Sequence, residues 1–263
     1  MPKDPRNAVL VERDDVHPGL ATFGVRLKDG SAPPFLPGQY ATLGIANAEG
    51  KLVRRAYSVA SAPGDAYAAD GVLRFYVVRV DGGALTPSLF GLAPGDELFL
   101  SPRLGGHFVL GEADRARDLV MVATGTGTAP FRSMLLAERA LPPSTPRGRR
   151  VLLEGCRVAE DLGYLGELRA MAAADPAFVY LPTVTREPEG SAWDGHRGRV
   201  NALLEPGAFK AAAGFPLDPA TASVFLCGNP QMIDQAEEEL TGRGFVVRDR
   251  KHPEGNVVFE RYW

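Results

Sequence analysis

The chain of 263 residues carries a formal net charge of -3 at pH 7 and has a sequence pI near 5.9. This balance gives no electrostatic reason to expect nucleic acid as the main partner. The 2 cysteines cannot form a disulfide framework or hold an iron-sulfur cluster, and the 4 histidines lack metal-ligand spacing. No apolar run is long enough to span a bilayer, and no apolar segment follows the N-terminus. We therefore expect a cytoplasmic protein, monomeric by default, that binds small molecules without a metal, nucleic acid or membrane.

The first part of the chain, up to about Leu110, alternates short β-type segments with turns rich in Gly, Pro and Asp. Short connections between six strands favour an antiparallel barrel or sandwich. The predicted strands are 7–13, 20–28, 38–46, 52–61, 72–80 and 96–101. One helix is predicted at 86–90, with Thr86 as its N-cap and Pro87 at its first position.

The second part, from about residue 118, alternates buried strands with helical segments, which indicates a doubly wound parallel sheet. Strands are predicted at 119–124, 150–155, 178–183, 223–227 and 256–263, and helices at 129–140, 159–173, 200–205 and 230–242. The chain therefore divides at 112/113 into a six-stranded antiparallel β-barrel domain, 1–112, and an α/β nucleotide-binding domain, 113–263.

The stretch from Leu119 to Pro130 joins a strand buried on both faces to a helix through a glycine turn. Gly125 and Gly127 allow a tight turn without side chains over it, and Pro130 suits the first turn of a helix. Free amide groups and the helix dipole at such a turn attract anions. Alone, the stretch is also typical of an ordinary strand-to-helix turn, because Gly-Thr-Gly-Thr-Ala-Pro fits neither G-x-G-x-x-G nor the P-loop pattern.

The tetrad Arg55-Ala56-Tyr57-Ser58 places a cation, an aromatic ring and a hydroxyl within one strand. Strand alternation puts Arg55 and Tyr57 on one face, where a guanidinium can bind phosphate while the ring stacks on a flat heterocycle. Taken alone, the tetrad also fits an ordinary barrel strand with an exposed Arg and a packed Tyr.

Four motifs in order resemble the ferredoxin-NADP+ reductase family. They are Arg-x-Tyr-Ser in a β domain, Gly-Thr-Gly-Thr-Ala-Pro at the start of an α/β domain, Cys227-Gly-Asn-Pro-Gln-Met232 after a later strand, and an aromatic C-terminus. The closing Tyr-Trp is most similar to the bacterial ferredoxin/flavodoxin reductase branch. The resemblance covers nearly the whole chain and implies FAD and NADPH as cofactors.

By this resemblance, Arg55 binds the flavin pyrophosphate, Tyr57 stacks on the isoalloxazine ring, and Ser58 faces the flavin N5 with Ala56 beside it. The resemblance also implies a lining of the ribityl and phosphate groups by two segments. These are Tyr76, Val77, Val78 and Arg79, and Ala84, Leu85 and Thr86.

In the second domain, the resemblance places Thr126 between flavin and nicotinamide. It places Cys227, Gly228 and Asn229 near the nicotinamide, although a buried thiol after a strand more often only packs. Glu260 is a candidate for proton handling. Tyr262 and Trp263 are expected to cover the flavin or its adenine, and which ring each covers stays open.

The choice between NADPH and NADH depends on the loops at the strand ends. A 2'-phosphate favours planar donor groups, whereas a free 2'-hydroxyl is usually met by a carboxylate. Arg157 after Cys156, Arg186 after Thr185, and Arg199 match, by resemblance, the arginines around the 2'-phosphate in the bacterial branch. Glu160 and Asp161 supply carboxylates for the opposite choice, but three arginines at one edge favour NADPH.

The resemblance implies an enzyme that transfers hydride from NADPH to FAD and then single electrons to ferredoxin or flavodoxin. Two alternatives stay open. One is an NAD(P)H-flavin reductase or the reductase component of an oxygenase. The other is a non-catalytic subunit that binds FAD without using pyridine nucleotide.

Overall fold

The computed structural model describes residues 5–64, 70–142 and 144–262, so the predicted site residue Trp263 lies outside the described residues. The chain divides into two compact units. The first comprises Met1–Val109 with Ala129–Pro143, and the second comprises Leu110–Thr128 with Ser144–Trp263. The domain boundary at 112/113 stays a prediction.

The first unit contains the predicted six-stranded antiparallel sheet. Its strands are β1 Ala8–His17, β2 Leu20–Leu27, β3 Tyr40–Ala46, β4 Leu52–Ser58, β5 Val72–Val78 and β6 Glu97–Leu100. The strand order is β4-β3-β6-β1-β2-β5. The chain just after β4 meets β5 through an antiparallel bridge between Val59 and Phe75, which joins the two edges of the sheet into a barrel. Large buried side chains such as Phe23 and Leu43 fill its interior.

The second unit contains a six-stranded parallel sheet. Its strands are β7 Asp118–Thr124, β8 Arg150–Cys156, β9 Phe178–Val184, β10 His196–Arg197, β11 Ala222–Gly228 and β12 Val257–Arg261. The strand order is β10-β9-β8-β7-β11-β12. Strands β8, β9 and β10 follow one another outward on one side of β7, and β11 and β12 do so on the other side. The strand order therefore reverses between β7 and β11, and the crevice outside the carboxyl ends at such a switch point is where open α/β sheets bind ligands. The two sheets confirm the predicted fold class.

The α-helices of the described ranges are α1 Thr86–Phe90, α2 Glu112–Ala116, α3 Thr128–Arg139, α4 Leu165–Ala174, α5 Pro206–Ala213 and α6 Pro230–Gly242. No helix in the described ranges has the length and apolar character needed to cross a membrane.

Three helix predictions were wrong in detail. The N-cap of α1 is Leu85 rather than Thr86, because the Thr86 hydroxyl instead accepts a hydrogen bond from the Val80 amide at 3.0 Å. The predicted helix 159–173 is a 3-10 turn at 159–161 followed by α4. The predicted helix 200–205 is only a 3-10 turn, because Pro206 begins a separate helix that the sequence analysis did not predict.

One ion pair in the second unit is largely removed from water. The carboxylate of Asp114, which is 1% exposed, accepts two hydrogen bonds from Arg248 at 2.9 and 2.6 Å. The amide of Gly111 donates a third at 3.0 Å. Burial alone would raise the pKa of Asp114, but the bonds from Arg248 and Gly111 outweigh it and hold that pKa below its ordinary value.

We expect Asp114→Asn to lower the free energy of unfolding near pH 7 by about 2–4 kcal/mol, because a guanidinium loses its buried partner. A lowered folded-state pKa means that the carboxylate stabilises the fold above the unfolded pKa and loses this effect as pH falls through the folded pKa. Urea denaturation should therefore show the full difference between wild type and variant at pH 6–8, and a shrinking difference below about pH 4. An undiminished difference at the lowest pH would contradict this account.

Candidate functional site

In the first unit, the predicted tetrad lies at the end of strand β4, and its residues become more buried along the chain. Arg55 and Ala56 are exposed, Tyr57 is half-buried against the barrel core, and Ser58 is 5% exposed. Burial raises the pKa of Tyr57 to about 12, although the charge of Arg55 opposes the shift. The phenol therefore stays neutral at physiological pH, and its ring is available for stacking beside an exposed cation.

The end of β5 has a similar division between buried and exposed residues. Tyr76 and Val77 are buried, whereas Val78 is 38% exposed and Val80 is 50% exposed. Arg79 is exposed, and its guanidinium makes a 3.5 Å ion pair with Asp81. Among the predicted residues of the following segment, Ala84 is exposed while Leu85 and Thr86 are buried. Exposed cations, an aromatic ring and exposed apolar side chains in one unit suit the phosphates and flat ring of FAD.

Two buried residues of α3 support the chain that follows β4, and the sequence analysis missed both. Arg132 donates a hydrogen bond to the carbonyl of Ala60 at 2.7 Å, and Ser133 donates one to the carbonyl of Ser61 at 2.6 Å. Their signal in the sequence was a pair of polar residues in an otherwise apolar stretch of helix. Their partners lie 72 positions earlier, which no local pattern indicates.

In the second unit, the carboxyl ends of β7 and β11 approach so closely that only glycine fits. A Cβ atom on Gly127 would lie 2.3 Å from the carbonyl oxygen of Cys227. Gly228 has φ of +129°, and a Cβ atom there would lie 2.3 Å from the hydroxyl of Thr124. That hydroxyl also accepts a hydrogen bond from the Asn229 amide at 2.8 Å. The two glycine turns therefore form one packed structure at the switch point.

We expect Gly127→Ala to lower the free energy of unfolding by about 1–3 kcal/mol, because the added methyl group forces two backbone segments apart. Gly166→Ala is the matched control, since a Cβ atom there meets nothing within 4 Å and the residue lies in α4. Urea denaturation of both variants gives the comparison. Equal unfolding free energies for the two variants would show that the turns are not tightly packed.

Four of the predicted residues converge at this switch point. Thr126 is 8% exposed, and its carbonyl accepts a hydrogen bond from the hydroxyl of Tyr262 at 3.2 Å. The same hydroxyl is in hydrogen-bond contact with the thiol of Cys227. Glu260 in β12 is the register partner of Cys227 in β11. The site thus combines a hydroxyl, a thiol and a carboxylate beside a glycine turn.

The thiol of Cys227 keeps its proton in this setting. Complete burial raises the pKa of Cys227 well above its ordinary value, the charge of Glu260 raises it further, and the Tyr262 contact only opposes the shift. A neutral thiol is a packing group and weak hydrogen-bond donor rather than a nucleophile. Asn229 likewise has a structural task, because its side chain caps α6 by accepting from the amides of Gln231 and Met232.

The three arginines predicted to select NADPH follow neighbouring strand ends. Arg157 follows β8, Arg186 follows β9, and Arg199 follows β10. All three are exposed, and none makes a side-chain hydrogen bond or ion pair within the described ranges. The backbone holds two of the loops together, because the Arg186 amide donates to the Arg157 carbonyl at 2.7 Å. These guanidiniums are therefore uncommitted cations at one edge of the sheet, as a 2'-phosphate requires.

Other polar groups of this edge are already occupied. Arg197 donates to the carbonyls of Glu187 and Pro188 and to the hydroxyl of Ser191, at 2.9, 3.4 and 3.1 Å. It closes the loop instead of facing a ligand. The buried thiol of Cys156 has a raised pKa, caused mainly by burial. Thr185 is exposed, and its amide donates to the Cys156 carbonyl at 3.1 Å.

Glu154, in the middle of β8, is a buried carboxylate that was not predicted as part of the site. It accepts hydrogen bonds from the hydroxyls of Thr128 and Tyr180. The signal was present, since a lone acidic residue interrupts the apolar run Val151-Leu-Leu-Glu-Gly.

Two family models match separate parts of the chain. Residues 7–108 match the family model of the oxidoreductase FAD-binding domain, and residues 121–238 match that of the oxidoreductase NAD-binding domain. A crystal structure of a ferredoxin NADP+ reductase from Neisseria gonorrhoeae with bound FAD and NADP has a TM-score of 0.84 and 25% identity. The match covers 99% of this chain and 100% of that one.

Two bacterial relatives are similar over most of their length. The flavodoxin/ferredoxin-NADP reductase of Escherichia coli (strain K12) is 33% identical over 231 residues, which is 88% of each chain. Ferredoxin-NADP reductase B of Sorangium cellulosum (strain So ce56) is 37% identical over 262 residues, which is 98% of each chain. The chain therefore belongs to the ferredoxin/flavodoxin-NADP reductase family.

Proposed function

We propose that this chain is an FAD-dependent reductase that takes hydride from NADPH and delivers single electrons to ferredoxin or flavodoxin. The observation that carries the proposal lies at the carboxyl edge of the parallel sheet. Two interlocked glycine turns flank the switch point there, and three guanidiniums without side-chain partners in the described ranges follow the neighbouring strands. Family membership supports the same activity.

Bound FAD supplies the conversion of a two-electron hydride donor into one-electron transfers, which amino-acid side chains do not provide. In the first unit, we assign the flavin pyrophosphate to Arg55, the face of the isoalloxazine ring to Tyr57, and the flavin N5 edge to Ser58. The exposure of Arg55 and the neutral ring of Tyr57 support these roles.

The remaining FAD contacts are assigned to Ala56 and to the segments Tyr76–Arg79 and Ala84–Thr86. The side chains of Tyr76, Val77, Leu85 and Thr86 are buried, so these residues would act through their backbone groups. Val78 and Arg79 are exposed and would contact the cofactor directly.

In the second unit, we assign the nicotinamide end of NADPH to the turn that contains Thr126 and to the turn Cys227–Asn229. The neutral thiol of Cys227 would pack and donate a weak hydrogen bond, and Glu260 beside it would hold or move a proton. The aromatic side chain of Tyr262 would cover a ring of FAD. The 2'-phosphate is assigned to Arg157, Arg186 and Arg199, with the Cys156 and Thr185 backbone shaping the loop.

The test is the reduction of purified ferredoxin and flavodoxin by NADPH in the presence of the FAD-loaded protein. We expect fast reduction of at least one carrier and slow reduction of free riboflavin. Rapid reduction of free riboflavin with no reduction of either carrier would instead support a flavin reductase. No reduction of any acceptor by a protein that retains FAD would support a non-catalytic subunit.

A further inference from the structure

The carboxyl group of Glu154 is a buried acid that the proposed chemistry does not use. Its residue is 0% exposed, and no cation pairs with it in the described part of the chain. Burial raises the pKa of Glu154, and the two hydroxyl donors oppose the shift. Burying a carboxyl group in an apolar strand is costly, so its retention needs a physical reason.

The carboxylate of Glu154 accepts hydrogen bonds from two hydroxyls that belong to different elements. One carboxylate oxygen accepts from the hydroxyl of Thr128 at 2.5 Å, and the other accepts from the hydroxyl of Tyr180 in β9. Thr128 is itself 0% exposed. It begins α3 and follows directly after the 3-10 turn Gly125–Gly127. One side of the acid therefore holds the residue that directly follows the glycine turn, and the other side holds a neighbouring strand.

The glycine turn packs closely against Cys227 and Gly228, and two of its other side-chain contacts are weaker than a hydrogen bond to a carboxylate. The Thr126 carbonyl accepts from Tyr262 at 3.2 Å, and the Gly125 amide contacts the thiol of Cys156, a weak acceptor. Glu154 is the acidic acceptor attached to this turn, and it lies beneath the first residue of a helix whose N-terminal dipole favours negative charge. Hydrogen bonds to a carboxyl group in an apolar interior are also stronger than in water.

We propose that Glu154 is a positioning residue for NADPH, which fixes the Gly125–Gly127 turn in its binding conformation through the hydroxyl of Thr128. The inference rests on the proposed function, because the proposed function assigns the nicotinamide end of NADPH to this turn. A turn that is already ordered does not lose conformational freedom when the dinucleotide binds, and affinity rises accordingly. The role is indirect, since Glu154 is fully buried and acts through Thr128.

The structure offers a matched pair of variants for the test. Thr128→Val removes the hydroxyl on the turn side of Glu154 and nearly preserves the side-chain shape. Tyr180→Phe removes the hydroxyl on the opposite side and does not touch the turn. Thr128→Ser restores a donor and serves as the rescue variant. All are compared with wild type as FAD-loaded protein.

We expect Thr128→Val to raise the Kd of NADP+ and the KM for NADPH about five- to tenfold, the equivalent of one hydrogen bond of about 1 kcal/mol. The value of kcat at saturating NADPH should change less than about twofold, because the contact acts on binding rather than on the transition state. Both Thr128→Ser and Tyr180→Phe should bind NADP+ with nearly the Kd of wild type.

Equal Kd values for wild type and Thr128→Val, or equal losses in Thr128→Val and Tyr180→Phe, would overturn the inference. If Thr128→Val does not fold, Glu154→Gln takes its place, since it keeps the side-chain shape and weakens the acceptor. Unchanged NADP+ binding in Glu154→Gln would likewise overturn the inference. Wild-type protein that retains FAD and binds no NADP+ would instead contradict the proposed function itself.

Discussion

Changing Arg157, Arg186 and Arg199 together to alanine is expected to lower kcat/KM for NADPH by about a hundred- to a thousandfold while nearly sparing NADH. A charge-assisted hydrogen bond contributes about 1.5–3 kcal/mol, and about 1.4 kcal/mol corresponds to a factor of ten. The expected loss of about 3–4 kcal/mol therefore equals about two such bonds, because solvent screens three exposed guanidiniums. NADH lacks the 2'-phosphate, so the same arginines have little to bind. Steady-state kinetics with both nucleotides measure the effect.

The absence of side-chain partners for these three arginines in the described ranges makes this experiment specific. Their removal breaks no ion pair among the described residues, so the fold should keep its stability. Arg147→Ala is a suitable control, because Arg147 precedes β8 at the opposite edge of the sheet and makes a long 3.8 Å ion pair with Asp175. Equal losses with NADPH and NADH in the triple variant would show that these arginines do not select the cofactor.

Changing Arg55 and Tyr57 together to alanine is expected to weaken FAD binding by about a thousandfold, so that the protein is purified without colour. The estimate combines about 2 kcal/mol for a charged hydrogen bond with about 2 kcal/mol for lost ring burial and stacking. Tyr57→Phe keeps the ring and should stay yellow. Titration of the FAD-free protein with FAD, followed by flavin fluorescence, measures the affinity.

The pKa of Tyr57 adds a further expectation to this experiment. Because burial raises that pKa to about 12, the phenol does not ionise between pH 6 and 9. Wild type and Tyr57→Phe should therefore show parallel FAD affinities across this range. An alanine double variant that remains yellow would show that FAD binds elsewhere in the chain.

The strands could be predicted well from sequence because their signals are local. The apolar run from Leu119 and the alternating pattern at 72–80 both became strands, and strand-end glycines marked the switch point. A helix was also predicted at 200–205, directly before Pro206. The proline instead starts α5, so the preceding residues form only a short 3-10 turn.

The supporting residues of the site could not be predicted for a different reason. Glu154 and Thr128 are 26 positions apart, and Arg132 and its Ala60 partner are 72 positions apart. A charged residue in an apolar segment indicates that some partner exists, but the partner is chosen by tertiary packing. The arginines of the sheet edge were predicted by family resemblance. The structure adds that Arg197 is occupied within its own loop, whereas Arg199 has no side-chain partner among the residues that the structure describes.

An anaerobic titration of the purified protein, followed in the visible spectrum, examines flavin binding and cofactor choice together. NADPH is added in one titration and NADH in a separate one. We predict that the protein is yellow and that near-equimolar NADPH bleaches it. The same bleaching should require far more NADH. A colourless protein that takes up no added FAD would contradict the account. A bound flavin that is bleached at a lower concentration of NADH than of NADPH would also contradict it.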